Sequence, residues 1–345
     1  MDSTARAAGK AAVSPPEFAK RWARQLGASE ADLVQLQGGI NNRVYRCGND
    51  ANAHVIKGYA PAVEGQRDRM QAEVEFLTYA AEVAPQYVPR LVHADTTLRC
   101  VVLEYLQGEA YPEDVTPAAS DIAAAVDFFR HLNADRVVAK RTVQMDAAEG
   151  FLKLTEHLDN VRERVALMQT VHLPGDAQKQ AADILHRLQA SIDMVANRVE
   201  AAIASGAVED GIATESRCVS PSDFGFHNAI RTRSGPKFID FEFAGWDDPA
   251  KAAADFVLQP RVPVGRIAPQ LLGNLDDNLE AAVRREVLGQ ILRVKWTCII
   301  LAVLQPARVE MLLFNHPETD FNELMNQRLI KAANYMQEES PFGLH

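Results

Sequence analysis

The sequence predicts an α+β protein with two lobes, a small N-terminal lobe built on an antiparallel β-sheet and a larger, mostly helical C-terminal lobe. Three observations lead to this prediction. Residues 33–106 contain short alternating apolar segments separated by turns rich in glycine and asparagine, as in a β-meander. Beyond residue 108 the strand signals nearly vanish, and segments rich in alanine, leucine and charge show helical periodicity. A brief β segment returns at 217–241.

The N-terminal lobe is assigned to residues 1–106. Its first helix is expected to have Ser14 as N-cap and Glu17 completing a capping box. The elements predicted for this lobe are helices at 14–26 and 67–81 and strands at 33–37, 43–47, 54–59 and 100–106. The connection to the second lobe is placed at Glu104–Gly108.

The C-terminal lobe is assigned to residues 107–345. Helices are predicted at 117–134, 146–169, 176–206 and 288–304. The β segment at 217–241 is expected to form one short hairpin. The candidate catalytic and metal-binding residues lie in or beside this hairpin.

Composition restricts the class of protein. The 345 residues are 47% hydrophobic and 24% charged, which is ordinary for a soluble globular chain. A net charge of −10 argues against a nucleic-acid partner, because a phosphate backbone requires a positive surface. The four cysteines lie far apart, the N-terminus lacks a signal-peptide pattern, and the apolar run at 298–304 is too short to span a bilayer. We therefore expect a cytoplasmic protein without a membrane or nucleic-acid partner.

Asp240 is the first candidate for chemistry. It ends an otherwise apolar strand, where an unpaired charge is costly. Coordination of Mg²⁺ would offset that cost, since Mg²⁺ takes one or two carboxylates together with phosphate oxygens. The alternative is an Asp that faces the surface at a strand end.

Asp223 and Asn228 form the second candidate. Asp and Asn are common in turns, so the pair alone indicates little. A hairpin between this loop and the strand at 237–240 would bring Asn228 and Asp240 together. Asp223 would then accept a hydroxyl proton while Asn228 and Asp240 hold Mg²⁺, which is the arrangement that phosphoryl transfer requires.

The first lobe supplies weaker signals. Gly38-Gly39 lets backbone amides approach an anion, but a glycine pair is more often a hairpin turn. Lys57 lies in an apolar strand and is either a functional lysine or an edge-strand lysine. Glu73 on the next helix is its expected partner, with Glu75 as a competitor for that role.

The order of these features resembles the aminoglycoside phosphotransferase and choline kinase superfamily, small-molecule relatives of protein kinases. The resemblance covers about residues 30–260 and is weakest across 146–212, where such families insert variable substrate-binding helices. It implies a bilobal protein-kinase-like fold. The segments that carry it are Gly38-Gly-Ile-Asn-Asn-Arg-Val-Tyr45, Lys57, Glu73-Val-Glu-Phe-Leu77, Val102-Leu-Glu-Tyr-Leu-Gln-Gly108, Ser222-Asp-Phe-Gly-Phe-His-Asn228 and Ile239-Asp-Phe-Glu-Phe-Ala-Gly245.

The resemblance implies an ATP- and Mg²⁺-dependent kinase that phosphorylates a hydroxyl group of a small molecule, such as an amino alcohol, aminoglycoside or sugar. Asp223 would be the catalytic base, with Asn228 and Asp240 as metal ligands and Asp255 steadying the loop. The nucleotide would be bound by the glycine loop, the lysine and its partner, and the connection between the lobes: Gly38, Gly39, Asn41, Lys57, Glu73, Glu104 and Leu106.

One position departs from the family pattern, which has His two residues before the catalytic Asp where this chain has Pro221. The alternative function is therefore a catalytically silent nucleotide-binding or interaction protein. His227 either compensates in part or, as the sequence favours, is a loop residue with no special role. A protein kinase is a weaker third interpretation, since no A-P-E segment follows Asp240.

The acceptor is left open by the sequence. Trp246 and the acidic residues Glu242, Asp247 and Asp248 could line a pocket for a cationic amine. The favoured alternative is that Asp247-Asp248-Pro249 caps the next helix.

Overall fold

The computed structural model describes residues 15–36, 42–49, 52–168, 175–265, 279–315, 319–338 and 341–342. The chain divides into two compact units. The first comprises Met1–Met70 and Pro89–Tyr105, and the second comprises Gln71–Val88 and Leu106–His345.

The first unit is built on a five-stranded antiparallel sheet in the order β1-β2-β3-β5-β4. Its elements are α1 (Glu17–Gln25), β1 (Leu33–Gln35), β2 (Arg43–Cys47), β3 (His54–Gly58), β4 (Leu91–Asp95) and β5 (Cys100–Glu104). The predicted three-stranded meander is confirmed, whereas β4 is not predicted by the sequence. Ser14, the expected N-cap of α1, lies outside the described residues, and the helix begins at Glu17.

Lys57 occupies an interior strand of this sheet. Strand β3 pairs with β2 on one side and β5 on the other, and Lys57 lies opposite Val44 and Val101. The interpretation of Lys57 as an edge-strand lysine is therefore wrong.

The second unit is mostly helical. Its remaining strands form two small sheets, β6-β8-β9 and β10-β7. The strands are β6 (Gly108–Ala110), β7 (Cys218–Ser220), β8 (Ala229–Thr232), β9 (Gly235–Phe238) and β10 (Gly245–Asp247). The helices that follow β3 in the chain are α2 (Arg69–Val83), α3 (Ala119–Asn133), α4 (Arg136–Thr142), α5 (Leu154–Met168), α6 (Gly175–Ala204), α7 (Pro249–Leu258), α8 (Leu279–Ile300), α9 (Pro306–Asn315) and α10 (Phe321–Gln337).

Two helix predictions require correction. The helix predicted from residue 146 begins only at Leu154, because Glu149 has a positive φ of 53° and Gly150 lies tightly against backbone. A Cβ at Gly150 would come within 3.0 Å of the Trp246 carbonyl oxygen. Helix α4 is not predicted, although Asp135 accepts hydrogen bonds from two of its first backbone amides and caps it.

Helix α8 lies in the core of the second unit, where it packs against α5, α6, α7 and α10. Among the described residues, 280–304 is the one helical stretch long and apolar enough to cross a membrane, and 78% of its most apolar window is buried inside the fold. It also carries three buried cations, Arg284, Arg293 and Lys295. These features are those of a core helix.

Candidate active site

The hairpin of β8 and β9 brings together two of the predicted site residues. Ala229 pairs with Phe238, and one step further the backbone N–H of Ile239 donates to the Asn228 carbonyl at 2.9 Å. Asp240 follows directly at the end of the hairpin. The hairpin predicted from the sequence is confirmed, and it places Asn228 and Asp240 at the same end.

The loop before the hairpin is anchored by two phenylalanines. The ring of Phe224 lies 4.8 Å from that of Phe256 and 5.0 Å from that of Phe238. The ring of Phe226 lies 4.8 Å from Tyr111 and 5.8 Å from Phe238. Because both rings are buried in this aromatic cluster, the polar residues beside them have fixed backbone positions.

Asp223 is held by two neighbours in the loop. His227 Nε2 lies 3.0 Å from Asp223 Oδ1, and Asn228 Nδ2 donates to Asp223 Oδ2 and to its carbonyl oxygen, both at 3.0 Å. Burial alone would raise the pKa of Asp223, but the hydrogen bonds from His227 and Asn228 outweigh it and lower the pKa below its ordinary value. Asp223 is therefore a carboxylate at neutral pH.

Two residues beside the site have strained backbones. Ser222 and Asp240 have positive φ values of 65° and 67°. This left-handed region costs a non-glycine residue about 1 kcal/mol, and such strain concentrates at functional sites. The strain occurs directly before the proposed base and at the proposed metal ligand.

The donor set at the hairpin end suits Mg²⁺. Asn228 uses its amide nitrogen for Asp223, so its Oδ1 oxygen is the atom left to face a cation. Asp240 adds a carboxylate. One carboxylate and a neutral oxygen, completed by phosphate oxygens and water, match the ligands that Mg²⁺ takes beside a nucleotide.

The hydrogen bond between His227 and Asp223 is not predicted from the sequence. The spacing of four residues between the two was visible, but the favoured interpretation gave His227 no role. The structure favours the alternative, because the ring is buried and bonded to the Asp223 carboxylate.

In the first unit, Lys57 is buried with 5% of its surface exposed, and its Nζ lies 5.3 Å from the centre of the Tyr59 ring. Glu104 accepts a hydrogen bond from the backbone N–H of Arg90 and donates its own N–H to the Arg90 carbonyl. Gly38, Gly39 and Asn41 of the predicted glycine loop lie outside the described residues.

Glu73 and Glu75 have different environments in the second unit. Glu75 Oε2 accepts hydrogen bonds from the backbone N–H groups of Gln144 at 2.8 Å and Met145 at 3.2 Å. Glu73 is 1% exposed. Because Glu75 is already hydrogen-bonded to the backbone before α5, Glu73 is the better candidate for the role that the family resemblance implies for a glutamate on this helix.

The acidic residues after the hairpin do not form an open pocket. Asp248 caps α7 through the Ala250 N–H and pairs with Arg284 at 2.7 Å. Asp247 pairs with Lys251 at 2.7 Å, and both are almost fully buried. The favoured capping interpretation is confirmed for Asp248, and the ion pairs of Asp247 and Asp248 do not support the alternative of an amine pocket at these two residues.

Asp255 belongs to the same buried network. It accepts hydrogen bonds from Lys295 at 2.7 Å and from the Trp296 indole at 3.0 Å, and Lys251 lies 3.6 Å away. Lys295 in turn contributes to the low pKa of Asp223. The spacing of four residues between Asp247, Lys251 and Asp255 is visible in the sequence, but the contact with Lys295, 40 positions from Asp255, is not.

A cavity of about 560 Å³ lies in the second unit beside this network. Gln259, one of its lining residues, lies against the loop: a Cβ at Gly225 would come within 3.0 Å of Gln259 Cγ. Other lining residues are Asp114, Arg293, Gln327, Ile330, Lys331 and Asn334. The lining combines these side chains with apolar ones, among them Val257, Leu258 and Pro260, and it carries charges of both signs.

Comparison with known protein families identifies the family of this chain. The model of the phosphotransferase enzyme family (APH) matches residues 32–258, nearly two thirds of the chain. The chain therefore belongs to the phosphotransferase enzyme family. No curated protein gives a significant match.

Solved structures share the fold at low sequence identity. A choline/ethanolamine kinase family protein from Mesorhizobium loti is 15% identical, with 93% of this chain and 95% of that chain covered and a TM-score of 0.53. Spectinomycin phosphotransferase APH(9)-Ia, in complex with ADP and spectinomycin, is 10% identical, with 89% and 93% covered and a TM-score of 0.55. The structure of the streptomycin–ATP–APH(2″)-IIa ternary complex is 14% identical, with 95% of this chain and 98% of that chain covered and a TM-score of 0.51. The predicted α+β, protein-kinase-like fold and the superfamily resemblance are confirmed.

Proposed function

We propose that this phosphotransferase transfers the γ-phosphoryl group of ATP, with Mg²⁺, to a hydroxyl group of a small molecule. The observation that carries the proposal is the ionised Asp223, held at both carboxylate oxygens by His227 and Asn228 beside Asp240. This is the geometry of a base that orients a hydroxyl group next to a metal-bound phosphate.

Each of the three residues has a separate task in this proposal. Asp223 accepts the proton of the attacking hydroxyl and aligns its oxygen with the phosphorus. Asn228 and Asp240 would hold Mg²⁺, which when bound neutralises charge that develops on the phosphoryl oxygens. Asn228 also contacts Asp223 directly, so the distance between base and metal ligand is fixed by one side chain.

Nucleotide binding is assigned to the first unit together with Glu73. Lys57 on an interior strand would contact the α- and β-phosphates, and the backbone at Glu104–Leu106 would receive the adenine. The glycine loop with Gly38, Gly39 and Asn41 would cover the phosphates. Support comes from the family match and from solved relatives whose names include ATP or ADP. A cytoplasmic location is part of the same proposal.

The acceptor is proposed to bind in the cavity bordered by Gln259. Gln259 lines this cavity and also lies against Gly225 of the loop that carries Asp223, and the mixed polar and apolar lining suits a hydroxylated molecule. An amino alcohol, an aminoglycoside and a sugar all satisfy that chemistry. Solved relatives are named for choline or ethanolamine, spectinomycin and streptomycin, so a panel of acceptors should include each class.

Thermal unfolding tests the nucleotide site. ATP and Mg²⁺ together, at a hundred times the dissociation constant, should stabilise the protein by about 2.7 kcal/mol, a shift of a few degrees. Asp240→Asn should abolish the Mg²⁺-dependent part without unfolding the protein, because Asn tolerates positive φ and keeps the shape of Asp. Asp223→Asn should retain the shift but lose ADP release.

Two results would contradict the proposal. One is an unchanged melting temperature with every nucleoside triphosphate, and the other is full turnover in Asp223→Asn. The first result would favour the catalytically silent alternative.

A further inference from the structure

The Asp223 carboxylate is more exposed than the side chain that holds it. Asp223 exposes 36% of its side chain, whereas His227 exposes 6%. The imidazole lies close to the backbone of Gly225, and its Nε2 reaches Asp223 Oδ1 at 3.0 Å. A buried ring therefore fixes the orientation of a group that solvent alone would leave free to rotate.

Packing around the other ring nitrogen defines the hydrogen-bond role of His227. Nδ1 is buried and makes no hydrogen bond within the described part of the chain. A proton on Nδ1 would be a buried donor without an acceptor, which costs more than an unused acceptor lone pair. The geometry therefore places a proton on Nε2, which donates to Asp223.

Gly225 makes this arrangement possible. A Cβ at that position would lie 2.7 Å from His227 Nδ1 and 3.0 Å from Gln259 Cγ, both closer than real Cβ contacts allow without movement. The absence of a side chain leaves space for the imidazole next to the loop. Gly225 and His227 thus act together on the same carboxylate.

We propose that His227 is a positioning residue for phosphoryl transfer: its Nε2–H fixes the Asp223 carboxylate, and Gly225 provides the space that the ring requires. The inference rests on the proposed function and deepens it, since His227 acts through its hydrogen bond to Asp223. Asn228 holds the other oxygen, so removing His227 leaves the Asp223 carboxylate in place but held at one oxygen only.

Substitutions at position 227 separate hydrogen bonding from packing. Gln carries an amide N–H at about the reach of imidazole Nε2, whereas the shorter Asn does not reach Asp223. We expect His227→Asn and His227→Ala to lower kcat for phosphoryl transfer from MgATP to an accepted member of the panel of choline, ethanolamine, spectinomycin and streptomycin, read as ADP release, by about 10- to 100-fold, as for other small misplacements of a catalytic group. His227→Gln should stay within about threefold of the wild type, and KM for ATP should be unchanged in all three.

Gly225→Ala provides a second route to the same effect. This variant keeps the imidazole of His227, but the new Cβ displaces it. We therefore expect Gly225→Ala to lower kcat by the same factor as His227→Ala. His157→Gln is the matched control, because His157 is also a buried histidine of the second unit, bonded to the Phe151 carbonyl. Its kcat should equal that of the wild type, and melting temperatures establish that each variant is folded.

A measurement on the nucleotide-free protein tests the contact itself. ¹⁵N NMR of histidine-labelled protein, with the His227 signal assigned by its loss in His227→Gln, should show the His227 proton on Nε2, and that signal should shift in Asp223→Asn. A proton on Nδ1, or wild-type kcat in folded His227→Asn and His227→Ala, would overturn the inference. If Asp223→Asn also has wild-type turnover, the proposed function fails instead, and the NMR result still decides the role of His227 in holding Asp223.

Discussion

At the scale of single residues, the burial of His157 makes stability depend on pH. Burial, reinforced by the positive charges of Lys251, Lys295 and Arg284, holds the pKa of His157 well below its ordinary value of 6.5. The unfolded chain then binds a proton that the native chain does not, so stability is lost as the pH falls below about 6.5. The expected slope from this residue is at most about 1.4 kcal/mol per pH unit.

Urea unfolding between pH 7.5 and 5.0 measures this slope. His157→Gln should remove it, because Gln retains a donor for the Phe151 carbonyl but does not titrate. The comparison of slopes isolates His157 from carboxylates that titrate in the same range, such as Asp247. Identical slopes in variant and wild type would show that His157 is protonated in the fold.

Sequence spacing predicts some residues of the site and not others. The spacing of Asn228 and Asp240 predicts that a hairpin brings them together, which the structure shows, whereas the roles of Asp223, Asn228 and Asp240 remain predictions. The His227 contact depends on a side-chain rotamer and on the space left by Gly225, neither of which a sequence displays. The pairing of Asp255 with Lys295 depends on how α7 packs against α8, which is a tertiary property.

At the scale of elements, helix α10 is predicted to contribute to acceptor binding. Ile330 on this helix is 54% exposed and lines the cavity. Ile330→Trp should fill part of that space and raise KM for the acceptor by at least about tenfold, with KM for ATP unchanged. Stability should change by no more than about 0.5 kcal/mol, because the position is exposed.

Asn326 offers a matched control on the same helix. It is exposed and does not line the cavity, so Asn326→Trp should leave both KM values as in the wild type. Equal effects of the two tryptophans would show that the cavity does not receive the acceptor.

Elements with strong local patterns were predicted, whereas those defined by distant partners were not. The strands β2 and β3 alternate cleanly between tight turns, and α3 and α6 have long apolar periodicity. Strand β6, by contrast, contains only three exposed residues and exists because β8 provides a partner. The non-helical start of the segment predicted as α5 results from Gly150 packing against Trp246, 96 positions further along the chain.

At the scale of the whole molecule, four buried cysteines report on the two units separately. Cys47 and Cys100 belong to the first unit, and Cys218 and Cys298 to the second. Burial raises the pKa of all four thiols, to about 12 for Cys100 and Cys298. Since the thiolate is the reactive form, each should resist alkylation until its surroundings unfold.

The two cores differ greatly in size. The cysteines of the first unit lie in a small cluster with Trp22, Ile56 and Val102. Cys298 lies in a far larger cluster contributed by α5, α6, α7, α8 and α10. Because local stability follows the apolar surface that each region buries, the first unit should open at lower denaturant concentration.

Pulsed alkylation across a urea series, read by peptide mass spectrometry, tests this order. We expect Cys47 and Cys100 to be modified at a lower urea midpoint than Cys218 and Cys298, and the native protein to resist modification at all four. Adding ATP and Mg²⁺ should raise the midpoint of the first pair, because the proposed nucleotide contacts of Lys57 and Glu104 belong to that unit. A single midpoint for all four thiols would mean instead that the two units unfold as one cooperative structure.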